Sequence, residues 1–307
     1  CTMNENKDLY SIIVPVLNIT DSLVELTNRI DTVLKSRNYS FEIIFIDDGS
    51  TDPNTLETMK KIQESSLIDV TVISFFKNFG QQAGILAGIK LAKGNYLITM
   101  DGDLEHRPED LFSLIDKQKE GNFDVVFGNF KEKTHGATKK FFSFIYTSIE
   151  RKILQYPKGT KRSAFWVMKR AVGEEVLKFN TLNPSLSILI IKVTNHIGSA
   201  EIVQGKRGEG ESAYTIPKLI FLASSLFINN SGIFLRSFLV FASISFLLVV
   251  LGFFSQIFLK IWYLFALTCL IPIVLIGFAI VGEYLFRIIQ NIENHPLYSI
   301  REIIKKD

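Results

Sequence analysis

Short apolar runs alternate with longer segments of mixed polarity over the first 130 residues of the chain. The mixed segments have the length of helices, and the apolar runs between them occupy residues 11–16, 41–46, 70–75, 96–100 and 125–127. Continuous apolar runs are typical of strands that are buried on both faces, and intervening helices are typical of parallel sheets. The pattern therefore predicts an α/β domain with a parallel sheet and helices on both faces.

Two much longer apolar segments follow near the C-terminus. Residues 237–259 and 261–282 contain no charged residue, and Lys260 separates them. Each is longer than the roughly 20 residues that a helix needs to cross the hydrocarbon core of a bilayer. We predict two transmembrane helices, at about 237–259 and 261–283, that form a tight hairpin.

The charges that flank the hairpin predict its orientation. Basic residues lie on both outer flanks, whereas the tip carries only Lys260; the flanking residues are Lys218, Arg236, Arg287, Arg301, Lys305 and Lys306. The positive-inside rule then places residues 1–215 and the tail 287–307 in the cytoplasm. Residues 216–236 are apolar but contain Pro217 and Gly232, so we expect a juxtamembrane helix that lies in the membrane interface.

Composition and charge exclude several classes of protein. With 47% hydrophobic residues the chain is not disordered, and a net charge of +3 is too small to indicate a nucleic-acid partner. Cys1 and Cys269 suggest no disulfide framework, and neither the cysteines nor the four histidines have metal-ligand spacing. We expect no signal peptide.

The residues after the predicted strands carry candidate chemistry, because ligands of parallel sheets bind outside the carboxyl ends of the strands. Carboxylates follow two of the runs, at residues 47–52 and in Asp101-Gly102-Asp103. Oxygen ligands of this kind suit Mg²⁺ or Mn²⁺. Each motif alone could be a plain turn, with Asp52 as a helix cap before Pro53. Both together, at the ends of what we expect to be neighbouring strands, favour a site.

Known phosphate-binding patterns are missing. The turn after the first run contains no GxGxxG, and the chain contains no GxxxxGK[ST]. A dinucleotide-binding dehydrogenase and a common nucleoside triphosphatase are therefore disfavoured. A diphosphate would have to be held by a cation on the carboxylates.

Six motifs resemble those of family 2 glycosyltransferases with the GT-A fold. Within that family the chain is similar to membrane-anchored polyprenyl-phosphate glycosyltransferases, the group of bactoprenol glucosyltransferases and dolichol-phosphate mannose synthases. The motifs are IIVPVLN (12–18), IDDGSTD (46–52), KNFGQQAGILAGI (77–89), MDGDLEHRPE (100–109), SAFWVMKR (163–170) and KRGEGESAYTIPKL (206–219). The resemblance implies a Rossmann-like, mostly parallel sheet with helices on both faces, followed by a two-helix transmembrane hairpin.

The resemblance also implies roles for matching residues. Asp101, Asp103 and Arg207 would be catalytic, and Asp101, Asp103 and Glu105 would hold Mg²⁺ or Mn²⁺. The nucleotide sugar would contact Pro15, Asn18, Asp47, Asp48, Ser50, Lys77, Gln81, Asp101, Gly102 and Asp103. The acceptor phosphate would contact Lys131, Lys133, Arg162, Arg207, Ser212 and Tyr214.

Some positions depart from the family pattern. The family often has GSR and FRLM where this chain has Gly-Asn-Phe ending at Phe130 and Phe-Trp-Val-Met containing Trp166, so two basic residues are missing. A basic segment could compensate by attracting a lipid phosphate at an anionic leaflet; it includes Lys131, Lys133, Lys139, Lys140 and Arg162. We expect Trp166 in the core or at an interface rather than as a platform for a sugar, and His106 on an exposed loop.

The leading functional hypothesis is the inverting transfer of one hexose from a nucleotide sugar to undecaprenyl phosphate at the bacterial inner membrane, for cell-surface polysaccharide modification. UDP-glucose is the favoured donor, while UDP-galactose, UDP-N-acetylhexosamine and GDP-mannose stay open. The alternative acceptor is a hydroxyl of a lipid-linked saccharide or glycolipid. A third hypothesis is a non-catalytic membrane scaffold, which the intact motif carboxylates disfavour. Gly252 and Gly277 would allow a homo-oligomer packed through the spans.

Overall fold

We analysed a computed structural model of the protein. The residues that it describes are 8–130, 163–203 (except 180, 182 and 183), 205, 296–306 and scattered positions from 240 to 292. It divides into two compact units, residues 1–210 with 296–307, and residues 211–295. In the second unit, every described position between 240 and 292 is helical. The described residues include no helix that is both long and apolar enough to cross a membrane. The spans predicted at 237–259 and 261–283 lie largely outside them and stay predictions.

An eight-stranded sheet forms the centre of the first unit, with the strand order β7-β5-β6-β4-β1-β2-β3-β8. All its strands run parallel to one another except β6 and β8, which are antiparallel to their neighbours. The strands are β1 (Leu9–Val16), β2 (Ser40–Asp47), β3 (Asp69–Phe75), β4 (Tyr96–Thr99), β5 (Val125–Phe130), β6 (Trp166–Lys169), β7 (Ile197–Ile202) and β8 (Ile300–Ile304). The five predicted runs correspond to β1–β5, and the mostly parallel sheet is confirmed.

Helices cover both faces of this sheet. They are α1 (Asp21–Ser36), α2 (Pro53–Ser65), α3 (Gln81–Leu91), α4 (Leu111–Gly121), α5 (Arg170–Leu177) and α6 (Leu186–Val193). Side chains of α1, α2 and α4 pack with Ile12 and Phe45 in one apolar cluster. Side chains of α3, α5 and α6 pack with Ile13 and Ile44 in a second cluster. Because successive strand residues face opposite ways, one buried strand supplies both clusters.

The tail contributes a strand that the sequence analysis did not predict. Within residues 287–307, the predicted tail, Ile300–Ile304 pairs antiparallel with β3 at the edge of the sheet. Its five residues alternate between intermediate and exposed positions, and Lys60 of α2 forms an ion pair with Glu302 at 2.9 Å. The first unit is therefore completed by residues from the far end of the chain.

Candidate active site

The carboxyl ends of β1 to β4 bring four loops to the same edge of the sheet. Asp47 ends β2, and Asp101 follows β4. Sequence analysis expected these two strands to be neighbours, but this expectation is wrong, because β1 lies between them. The β1–α1 loop therefore separates the two carboxylate motifs, and it contains Asn18.

Asn18 joins the β1–α1 loop to the β2–α2 loop. Its side-chain oxygen accepts hydrogen bonds from the backbone N–H groups of Thr51 at 2.9 Å and Asp52 at 3.2 Å. Its own N–H donates to the hydroxyl of Ser50 at 2.9 Å. Asn18 has a φ of 52°, a left-handed conformation that asparagine tolerates better than most residues. Pro15 is buried within β1, so it supports this loop from the strand.

Asp47 and Asp48 fix the loops on either side of them. Asp47 accepts hydrogen bonds from the Ser50 N–H at 2.9 Å and the Ser74 hydroxyl at 3.0 Å. Asp48 is buried and accepts from the N–H groups of Phe79 at 2.7 Å and Gly80 at 2.9 Å. Burial raises the pKa of Asp48, and the two N–H groups oppose that rise. The carboxylate of Asp48 thus holds the β3–α3 loop against the β2–α2 loop.

Gly49 is the point at which these two loops touch. Its φ is +68°, and a Cβ atom there would lie 2.6 Å from the backbone nitrogen of Asn78 and even closer to the Lys77 backbone. Glycine is the residue that tolerates both the positive φ and the close approach. The side chain of Lys77 is exposed beside this contact, with Nζ 5.2 Å from the centre of the Phe79 ring.

Asp101 is positioned by two groups that the motif itself does not include. The side-chain amide of Gln81, at the first position of α3, donates to Oδ1 of Asp101 at 2.6 Å. The backbone N–H of Asp101 donates to Nδ1 of His106 at 3.0 Å. Burial raises the pKa of the Asp101 carboxyl, Asp103 adds to the rise, and the hydrogen bond from Gln81 opposes it.

The rest of the motif forms a tight turn. The backbone N–H of Glu105 donates to the carboxylate of Asp103 at 3.0 Å, and Leu104 between them has a φ of 63°. The carbonyl of Gly102 accepts from the Ser22 hydroxyl of α1 at 2.6 Å. These contacts fix the conformation of the loop that carries Asp101 and Asp103.

His106 was expected on an exposed loop, and this expectation is wrong. The side chain is 3% exposed, because its ring stacks on Phe165 at 4.9 Å and on Phe130 at 5.7 Å between ring centres. Since Nδ1 accepts the Asp101 N–H, the ring proton belongs on Nε2. The signal available in the sequence was the position of a histidine directly after the acidic motif. Its aromatic partners are distant in the chain and could not be identified from spacing.

The donor set suits a divalent cation that is shared with a ligand. Among the residues that the structure describes, no group of three or more Asp, Glu, His or Cys side chains could hold a metal by itself. Mg²⁺ commonly uses one or two carboxylates and completes its shell with water and substrate phosphates. Asp101 and Asp103 fit that requirement, because the loop that follows β4 carries both carboxylates. Glu105 as a third ligand stays a prediction.

A cavity of about 230 Å³ is lined by residues of α3, of α6 and of β6 with the segment before it. Its wall includes Gln82, which follows the Gln81 that contacts Asp101, and Ala164, whose carbonyl accepts a hydrogen bond from the Thr99 hydroxyl. The lining residues are Gln82, Ile85, Ser163, Ala164, Trp166, Leu186 and Ser187. Trp166 is 1% exposed, which confirms its predicted place in the core.

The predicted acceptor residues lie outside the described part of the chain. They are Lys131, Lys133, Arg162, Arg207, Ser212 and Tyr214, together with Lys139 and Lys140 of the basic segment. The chain approaching Arg207 is described as far as Gly205, whose N–H donates to the Glu105 carbonyl at 2.9 Å. Upstream, the N–H of Val203 donates to Asp110 at 3.1 Å. Val203 and Gly205 therefore lie beside residues 105–110.

Solved structures with the same fold support the architecture. Glucosyl-3-phosphoglycerate synthase from Mycobacterium tuberculosis, in complex with Mn²⁺, UDP and phosphoglyceric acid, is similar with a TM-score of 0.53 at 14% identity, over 72% of this chain and 76% of that chain. The same enzyme with Mn²⁺, UDP-glucose and phosphoglyceric acid gives 0.52 at 13% identity, over 72% and 78% of the chains. The GT-A α/β fold is confirmed.

Residues 11–177, more than half of the chain, match the family described as Glycosyl transferase family 2. The protein belongs to that family and is a glycosyltransferase. It is 28% identical to an uncharacterized glycosyltransferase, YkcC, of Bacillus subtilis, over 95% of this chain and 93% of that protein. It is 27% identical to undecaprenyl-phosphate 4-deoxy-4-formamido-L-arabinose transferase of Pseudomonas paraeruginosa, over 97% and 91%.

Replacing Gln81 with alanine tests how Asp101 is positioned. Without the 2.6 Å amide contact, we expect the Mn²⁺ concentration for half-maximal glycosyl transfer to rise by about 30-fold, since groups that orient ligand carboxylates have effects of this order. Gln118→Ala is the matched control, because the Gln118 amide donates to the Phe123 carbonyl instead. An unchanged Mn²⁺ requirement in Gln81→Ala would contradict the assignment.

Proposed function

We propose that the protein transfers a single hexose from a nucleotide sugar to a polyprenyl phosphate, with inversion at the anomeric carbon. The observation that supports this most is the edge of the sheet where Asp101, held by Gln81 and His106, lies beside the loops joined by Asn18 and Asp48. This edge combines polar loops for a nucleotide with carboxylates for its diphosphate.

A lipid phosphate is proposed as acceptor on two grounds. The similarity to undecaprenyl-phosphate transferases extends over nearly the whole chain rather than the donor-binding part alone. A phosphate monoester is also anionic at neutral pH, so it can attack without the positioned base that a sugar hydroxyl needs. The acceptor would then require orientation rather than deprotonation, which fits the basic segment and Arg207.

The donor is proposed to be UDP-glucose, bound with Mg²⁺ or Mn²⁺. A cation on Asp101 and Asp103 would neutralise charge on the departing nucleoside diphosphate. Gln81 orients the Asp101 carboxylate, and His106 fixes the backbone at the same residue. Lys77, exposed on the neighbouring loop, would add positive charge at the diphosphate. UDP-galactose, UDP-N-acetylhexosamine and GDP-mannose are the competing donors in the test below.

We propose that the second unit anchors the enzyme in the bacterial inner membrane, with residues 1–215 and 287–307 in the cytoplasm. Within the uncharged residues 237–259 and 261–282, its described helical positions carry six large apolar side chains that are each at least 41% exposed: Val240, Ile244, Val274, Leu275, Phe278 and Val281. Exposed apolar surface of this extent is typical of contact with lipid or protein. Lipid is favoured here because the same segments lack charge over about a membrane thickness.

A hydroxyl acceptor is the second candidate function, and two residues favour it. Phe130 and Trp166 occupy the positions at which the resembling transferases often have arginines. Phe130 stacks on His106, and Trp166 is buried in the cavity wall. Neither can hold a phosphate by charge.

The two candidates differ in the acceptor that the full-length protein uses in detergent with Mn²⁺. We expect radiolabel from one of the four nucleotide sugars to enter the organic phase with undecaprenyl phosphate, but not with undecaprenol. Label transferred only to a lipid-linked saccharide would favour the hydroxyl acceptor. Hydrolysis of the donor without any lipid product would agree with the fold assignment but would overturn the proposed acceptor.

A further inference from the structure

The C-terminal segment that returns to the sheet contacts the donor loop directly. We define residues 297–302 as the C-terminal strap, and residues 76–80 as the donor loop, which carries Lys77 and the amides bound to Asp48. The N–H of Phe76 donates to the Ser299 carbonyl at 3.1 Å. The guanidinium of Arg301 donates to the Phe76 carbonyl at 3.2 Å and lies 5.5 Å from the centre of its ring. The strap thus engages both backbone groups and the ring of Phe76.

A stack of aromatic rings continues from the strap into the donor loop. The Tyr298 ring stacks on Phe75, with centres 5.1 Å apart and an interplanar angle of 9°. Phe75 in turn meets the edge of Phe79 at 5.8 Å. Phe79 donates its N–H to the Asp48 carboxylate at 2.7 Å. A continuous series of contacts, from Tyr298 through Phe75 and Phe79 to Asp48, therefore connects the strap to the β2–α2 loop.

The pairing of β8 with β3 changes register at this point. Ser74 pairs with Glu302 but Phe75 pairs with Ile300, so Arg301 is an extra residue in β8. Such bulges bend a strand and redirect side chains, and they are common beside active sites. Here the bulge turns Arg301 towards Phe76, at the first residue of the donor loop.

We infer that Tyr298 and Arg301 are positioning residues for the donor loop, and that the strap sets the affinity for the nucleotide sugar. This inference rests on the proposed function insofar as the ligand is a nucleotide sugar. Neither residue needs to touch the ligand. They hold the backbone that presents Lys77 and that carries the two amides of Asp48, so their loss should weaken donor binding while leaving the chemical step unchanged.

The test compares four variants of the full-length protein. For Tyr298→Ala and Arg301→Ala we expect the KM for the nucleotide sugar to rise by about 5-fold, the effect that losing one aromatic pair or cation–π contact produces, with kcat nearly unchanged. Tyr298→Phe keeps the stacked ring and should retain the normal KM. Lys306→Ala is the matched control, because Lys306 belongs to the same segment but donates to the Ser66 carbonyl beyond α2 at 2.7 Å.

Hydrogen exchange supplies a readout that does not depend on transfer. The amides of Phe76, Phe79 and Gly80 should exchange faster in Tyr298→Ala and Arg301→Ala than in wild type or Lys306→Ala. Unchanged exchange and unchanged KM in both alanine variants would overturn the inference. Equal changes in Lys306→Ala would also overturn it, since they would indicate that any substitution in the C-terminal segment destabilises the donor loop. If the wild type transfers no sugar to polyprenyl phosphate, the proposed function fails, while the exchange rates still decide the role of the strap.

Discussion

Replacing Asp101 with asparagine is expected to reduce glycosyl transfer by about 1,000-fold, comparable to the loss of a preorganised charge-stabilising group. Asparagine has the same shape and can still accept the Gln81 hydrogen bond, but it carries no charge for the cation. The measurement is the initial rate of label transfer from the nucleotide sugar at saturating Mn²⁺.

The same substitution should leave the fold as stable as wild type. Burial raises the pKa of Asp101, which means that the folded protein disfavours its ionised form, so a neutral side chain relieves a cost. Asp116→Asn is the matched control, because the half-buried Asp116 forms an ion pair with Arg37 at 2.8 Å, away from the site. Equal loss of transfer in both variants, or a full rate in Asp101→Asn, would contradict the assigned role.

Gly49→Ala is expected to lower the free energy of unfolding by about 3 kcal/mol, combining the strain of a positive φ with overpacking. The added Cβ would overlap the Lys77 backbone, so the β2–α2 and β3–α3 loops would have to separate. Since those loops form the donor side of the site, the KM for the nucleotide sugar should rise as well. Thermal unfolding and donor kinetics measure the two effects.

Gly84→Ala provides the matched control for this prediction. Gly84 lies in α3 near the same loops, but a Cβ there would meet Ile46 at 3.4 Å and Pro15 at 3.7 Å, which are ordinary contact distances. In a helix, alanine is favoured over glycine by about 0.5–1 kcal/mol. Gly84→Ala should therefore be neutral or stabilising. A Gly49→Ala protein as stable as Gly84→Ala would show that the two loops do not touch as described.

The sequence predicts best those elements whose pattern is set by residues close together in the chain. Strands β1 to β5 are continuous apolar runs because both of their faces are covered. The alternative to a binding site at residues 47–52 was a plain turn with Asp52 as the cap of α2. The structure confirms the cap, since Asp52 accepts the N–H of Asn54 at 3.0 Å. Both features depend on residues that are close in sequence.

Features set by distant parts of the chain could not be predicted in the same way. The short strand β8 has no continuous apolar run, and the positions of β6 and β8 in the sheet follow from pairing with β4, β5 and β3. The insertion of β1 between β2 and β4 depends on chain topology. His106 becomes buried only because Phe130 and Phe165 reach it from β5 and the start of β6.

The site was predictable as a set of motifs but not as a network. The acidic loop was recognised from its position after a strand, whereas the contact from Gln81 to Asp101 connects two loops. Sequence analysis assigned Gln81 to the nucleotide sugar; the structure shows that its amide contacts the carboxylate. The strap was missed because a short alternating segment after two predicted membrane spans resembles a solvated tail.

The chemical form of the lipid product tests the central claim most directly. Mass spectrometry and ³¹P NMR of the product formed from undecaprenyl phosphate, nucleotide sugar and Mn²⁺ would identify the new bond. The account predicts a lipid that has gained one hexose and whose phosphate has become a sugar-phosphate diester, labile to mild acid. A product in which the hexose is joined to a hydroxyl and the lipid phosphate is still a monoester would contradict it.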